Sequence, residues 1–104
     1  MNAGLSDRLR ELRAEPTSWS NGPRERYASH DHGYDKTLVC TAGSIVFGLV
    51  DEARRIELRA GDRLDLPAGS KHDALVGDEG VTCLESRLPA GHHDGVSHQR
   101  AGEW

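Results

Sequence analysis

Apolar residues recur at every second position through most of this chain, and only near its start do they follow a helical spacing. Leu5, Leu9 and Leu12 are separated by four and three positions, Ser6 and Asp7 are capping residues, and Pro16 closes the segment. This pattern predicts a short amphipathic helix within residues 1–16, too short to stand alone and therefore packed on the outside of the rest of the chain. From Thr17 onward the pattern is β. Residues 24–29 lead into Ser29-His30-Asp31-His32, and KTLVCTA (36–42) is a compact apolar strand broken by Gly43. SIVFGLV (44–50) comes next and returns through Asp51-Glu52-Ala53 as residues 54–59, with Ile56 and Leu58 on one face. Leu64 and Leu66 repeat the alternation before the turn Pro67-Ala68-Gly69. Residues 72–76 and 81–87 predict a last hairpin joined by Gly77-Asp78-Glu79-Gly80. About seven or eight short strands separated by turn signals make residues 17–88 an all-β sandwich or barrel. Residues 89–104 show no period and are expected as a flexible or peripherally docked tail.

Composition narrows the function classes. A chain of 104 residues is one domain, near the size at which a single core suffices. With 13 Lys and Arg against 17 Asp and Glu, the formal charge of −4 offers nucleic acid no electrostatic footprint. No apolar run approaches the roughly 20 residues that cross a bilayer, so no membrane partner is expected. The first ten residues carry charge where a signal peptide has its apolar centre, which makes the cytoplasm the expected location. Cys40 and Cys83 lie in apolar strands and read as buried free thiols in that compartment.

The candidate chemistry is in the histidines. In a strand, residues i and i+2 point to the same face, so His30 and His32 can reach inward side by side. His72, just beyond a glycine-punctuated turn, completes a cluster of three imidazoles if its strand pairs nearby. Neutral imidazole is the commonest protein metal ligand, and three of them leave a divalent cation with open positions for water or substrate. His92, His93 and His98 belong to the tail and read as surface histidines. Asp31, Asp35 and Asp73 are either partners that orient the imidazoles or solvated carboxylates. Tyr34 shares parity with His32 and is either a pocket hydroxyl or an ordinary half-buried tyrosine.

Two spacings carry a family resemblance. Gly61, five residues, Pro67-Ala68-Gly69, two residues and His72 form one motif; His30, His32 and Gly43 fall in the positions of the other. The chain resembles a cupin over roughly residues 19–88, and the resemblance implies a small jelly-roll β-barrel with a mononuclear metal site at His30, His32 and His72. It departs from the pattern twice. The usual glutamate of the first motif is Lys36, and the asparagine often found after the second is Val76.

Lys36 matters more, because a protonated lysine cannot ligate a cation and repels one. Three readings stand open: Lys36 turns away toward a carboxylate and the metal site has three histidines; Lys36 lines the pocket and holds an anionic substrate beside the metal; or the metal is lost and Lys36 joins the histidines in a cationic ligand pocket. Ligand type leaves the metal as Fe, Mn, Zn, Ni or Cu. The resemblance implies a metal-dependent enzyme of dioxygenase or isomerase type acting on a small anionic substrate, with Lys36 and Tyr34 as the candidate acid, base or anchor. The alternative is a non-catalytic small-molecule or metal-binding module. A homodimer is expected, since a barrel of this size gains by covering its exposed edges.

Overall fold

The computed structural model describes residues 2–10 and 15–104. Helix α1 (Asn2–Arg10) is followed by β1 (Thr17–Asn21), β2 (Arg26–His30), β3 (Asp35–Leu49), β4 (Arg54–Arg59), β5 (Arg63–Leu66), β6 (His72–Leu88) and β7 (Ser97–Gln99). Two long strands organise everything. β3 and β6 pair antiparallel along their whole lengths, from Asp35↔Leu88 to Leu49↔His72. The first half of β3 also pairs with β5, and its second half with β4. Likewise β6 pairs with β2 near its start and with β1 near its end. Each long strand therefore belongs to two sheet halves, β1-β6-β3-β5-β7 and β2-β6-β3-β4. The space between the halves is the barrel interior of a jelly roll.

Here the strand boundaries depart from the expected ones. Gly43 does not end a strand, and residues 77–80 do not turn a hairpin: residues 72–76 and 81–87 both lie on β6 and pair with β3 instead of with each other. The glycines form a corner. Gly43 (φ +71°) and Gly80 (φ +79°) adopt a backbone that side chains resist, and a Cβ on Gly43 would lie 2.0 Å from the Gly80 carbonyl oxygen. Register shifts on either side of Gly43 bend both strands from one half to the other.

The interior holds Leu38, Cys40, Ile45, Phe47, Leu49, Ile56, Leu58, Leu64, Leu66, Val76, Val81 and Cys83, all buried. Both cysteines are free thiols, as expected. A second apolar cluster lies outside the sheet, where Leu9 of α1 covers Val39 and Leu84, with Leu5 and Trp104 beside it. Val39 is buried by this cover, and Asp35 and Thr37 by the tail at His93, so residues 35–40 are buried on both faces.

At the start of the chain, Ser6 and Asp7 lie inside α1 rather than ahead of it, and Asp7 pairs with Arg10 one turn on (3.1 Å) instead of capping. Leu12 falls outside the described residues. In the tail, β7 pairs with β5, the Ala101 amide donates to Asp62 Oδ1 (2.9 Å), and the Trp104 indole donates to the Gly61 carbonyl (3.0 Å). No helix among the described residues is long and apolar enough to cross a membrane.

Candidate metal centre

β2 ends at His30, and register places His30 directly opposite His72, the first residue of β6. His32 is not on the strand with His30; it lies in the link to β3. Strand parity therefore does not govern His32, yet its ring arrives at the same place because the link is pinned from two sides. The Gly69 amide donates to the His32 carbonyl (2.8 Å), and the Ala68 amide donates to Asp35 Oδ1 (2.7 Å). The Pro67-Ala68-Gly69 turn, with Gly69 at φ +82°, is thus tied to the histidine link and delivers His72 next to it. Asp35 is fully buried. The His93 amide, chiefly, with that of Ala68, holds its carboxyl below the usual carboxylate range.

The three rings converge. Centroids are 4.5 Å apart for His30–His72, 4.8 Å for His30–His32 and 5.4 Å for His32–His72, and one nitrogen from each ring lies within 4.8 Å of the others. Nδ1 of His30 donates to the Ala28 carbonyl and Nδ1 of His72 to that of Ser70, both at 2.8 Å. These bonds fix the tautomer that leaves each Nε2 with a free lone pair. Nitrogens around one ion at about 2.0–2.1 Å lie about 3–4 Å apart, so an inward approach of up to about 1 Å closes the site.

His32 is prepared differently. Its Nε2 accepts from Lys36 Nζ at 3.1 Å, and its ring stacks on Tyr34 (4.9 Å, 27°), with the Arg87 guanidinium over the far ring (4.7 Å). Burial first, then the Lys36 charge and the neighbouring imidazoles, lowers the His32 pKa to about 4. Burial likewise depresses that of His72. Both rings are held neutral, the form a metal requires.

Lys36 points into the barrel. Its Nζ lies 3.3 Å from Glu85 Oε1, an oxygen that also accepts from the Trp19 indole (3.2 Å), while Glu85 Oε2 lies 3.6 Å from Arg87 Nε. The ammonium thus has a second partner when His32 Nε2 is taken by an ion, and the Glu85 carboxylate offsets its charge. On these grounds the three histidines fit a divalent cation. Lys36, Glu85, His30 and His72 form the polar end of a pocket of about 230 Å³ whose remaining walls are Trp19, Tyr27, Leu38, Phe47 and Ala74.

Tyr34 is outside this lining and supports His32 from behind. Asp31 and Asp73 are exposed. Of the tail histidines, His93 is nearly buried against Thr37 (3.0 Å) on the opposite face of β3, away from the cluster. Glu85 is the site residue missed by motif spacing. Its signal was present in the shared parity of Val81, Cys83 and Glu85 on an apolar strand.

A scan against protein-family models gave no match, and a search of the curated proteins gave none. Solved structures do match. A cupin-2 domain protein from Shewanella frigidimarina is 18% identical over 73% of this chain and 70% of its own, with a TM-score of 0.60. A cupin superfamily protein from Desulfitobacterium hafniense is 21% identical over 73% and 67%, with a TM-score of 0.61. Oxalate decarboxylase from Bacillus subtilis, a protein with Mn(II) centres, is 18% identical over 83% of this chain (TM-score 0.63), but the match spans only 25% of that enzyme. The chain has the cupin fold.

Proposed function

We propose that this protein holds one divalent transition-metal ion through His30, His32 and His72 and acts as a metal-dependent enzyme, of dioxygenase or isomerase type, on a small anionic substrate bound in the adjoining pocket. The observation that carries this reading is the convergence of three imidazole nitrogens within 4.8 Å, two of them with tautomers set by backbone carbonyls. A bound ion at such a site supplies Lewis acidity, with coordination positions left open. The chain's own residues do the rest. Lys36 Nζ, next to His32 and buried against Glu85, is placed to anchor a substrate oxyanion or move a proton at it. Glu85 keeps that ammonium oriented, and the apolar walls exclude water from the ligand's far end. Tyr34 holds the His32 ring by stacking rather than by its hydroxyl.

One observation favours a second reading. Lys36 Nζ already occupies the lone pair of His32 Nε2, the arrangement of a metal-free cationic pocket that binds an anion without turnover. Metal analysis of protein purified without a metal-affinity step separates the two. The proposal expects about one equivalent of a transition metal, lost in the His30→Ala, His32→Ala double variant. An unchanged metal content in that variant, or none in either protein, supports the second reading. The jelly-roll edges leave a homodimer as the proposed assembly.

A further inference from the structure

The pocket next to the histidines has a polar end and an apolar body, and this division bears on which anion it takes. Its charge is confined to one end, where Lys36 and Glu85 neutralise each other at 3.3 Å. Beyond them the lining is side chain carbon: Leu38, Phe47 and Ala74 from the two bent strands, with Trp19 and Tyr27 set edge to face at 6.3 Å and 84°. Glu85 already receives the Trp19 indole, and the Tyr27 hydroxyl is spent on Asn21 Oδ1. No cation other than Lys36 lines this space among the described residues.

A ligand entering here meets positive charge only at the histidine end, and a carboxylate of like charge stands beside it. We infer that the pocket selects a small monoanion with a compact apolar body, its carboxylate or enolate oxygens at the histidine and Lys36 end and its body against Leu38, Phe47 and Ala74. This rests on the metal reading above and names the substrate class within it. A second carboxylate at the ligand's far end would lie against apolar walls with no partner, a cost that turns the pocket against dicarboxylates. At about 230 Å³ the space is below the ~300–1,000 Å³ that holds drug-sized ligands, so the body is about one ring or a branched chain of similar size. Trp19, Phe47 and Ala74 are then specificity residues, touching the ligand's body and not the reacting atoms.

Calorimetric titration of the metal-loaded protein with benzoate, acetate and succinate tests this, with metal content measured after each run. Benzoate and acetate share a head group, so their difference reads the apolar wall. The expected result is benzoate about tenfold or more tighter than acetate, and succinate no tighter than acetate. Ala74→Leu, which adds side-chain volume to the wall, should reduce benzoate affinity about tenfold and acetate affinity much less. Circular dichroism and retained metal certify the variant's fold; should it not fold, the three wild-type affinities decide alone. Equal benzoate and acetate affinities, or succinate binding tightest, with metal still bound, overturn the inference and leave the metal reading intact. A protein that takes up no metal contradicts the metal reading itself, and benzoate selectivity in the metal-free protein then shows whether the wall selects without it.

Discussion

Lys36 Nζ stands between His32 Nε2 at 3.1 Å and Glu85 Oε1 at 3.3 Å, and neither Lys36 nor Glu85 exposes more than about a tenth of its side chain. The carboxylate that the first cupin motif would have placed on β3 is thus met from the neighbouring strand β6, where Glu85 faces Leu38, and it partners a lysine instead of an ion. Replacing Lys36 by Met leaves Glu85 with the Trp19 indole and Arg87, so the loss is partial. Unfolding in urea should show destabilisation of about 1–3 kcal/mol, with metal stoichiometry unchanged. If the protein is an enzyme, the same variant should be without turnover.

The β3–β6 corner should be the least forgiving backbone position. Gly43→Ala combines positive φ with a Cβ 2.0 Å from the Gly80 carbonyl, and its cost should exceed about 3 kcal/mol. Gly91 also has positive φ (+93°) but open space around it, so Gly91→Ala should cost only about 1–2 kcal/mol. Thermal unfolding of the pair separates collision from backbone strain.

Acid should weaken the fold through the histidine cluster. The His32 pKa is lowered from 6.5 to about 4 and that of His72 is also lowered, so between these values the unfolded chain binds protons that the folded one refuses. Stability from this source is complete above pH 6.5 and is lost as pH falls toward about 4. A His32→Gln variant should show a shallower decline of Tm across that window. Added metal should steepen the decline, because an ion requires the neutral rings.

Leu9→Ala tests the cover on the outer face. Leu9 is fully buried over Val39 and Leu84, and removing its side chain should cost about 2–5 kcal/mol. Loss of Trp104 fluorescence burial at lower denaturant than the barrel's own unfolding would show that α1 and the tail release together.

The sequence displayed its barrel through alternation at Ile56, Leu58, Leu64 and Leu66, and its histidine cluster through the spacing that ends in Pro67, Gly69 and His72. Such signals are local, so they survive in a single chain. What escaped was non-local. Glu85 reaches Lys36 only because β6 pairs with β3 through Leu38↔Glu85, a register no single segment announces. Gly43 and residues 77–80 look like breaks because glycine marks turns and corners alike; only pairing on both sides distinguishes them. His32 reaches the cluster by a pinned link, not by strand parity, so parity pointed to the right residue for a reason that does not hold for it.

The central claim is that three imidazoles share one ion, and anomalous diffraction from crystals grown with Zn(II) or Mn(II), recorded across the metal's absorption edge, addresses it most directly. The expected result is a single strong peak about 2.0–2.3 Å from one nitrogen each of His30, His32 and His72, with Lys36 withdrawn onto Glu85. A peak instead at His92 and His93, or none anywhere while Lys36 remains on His32, would contradict it.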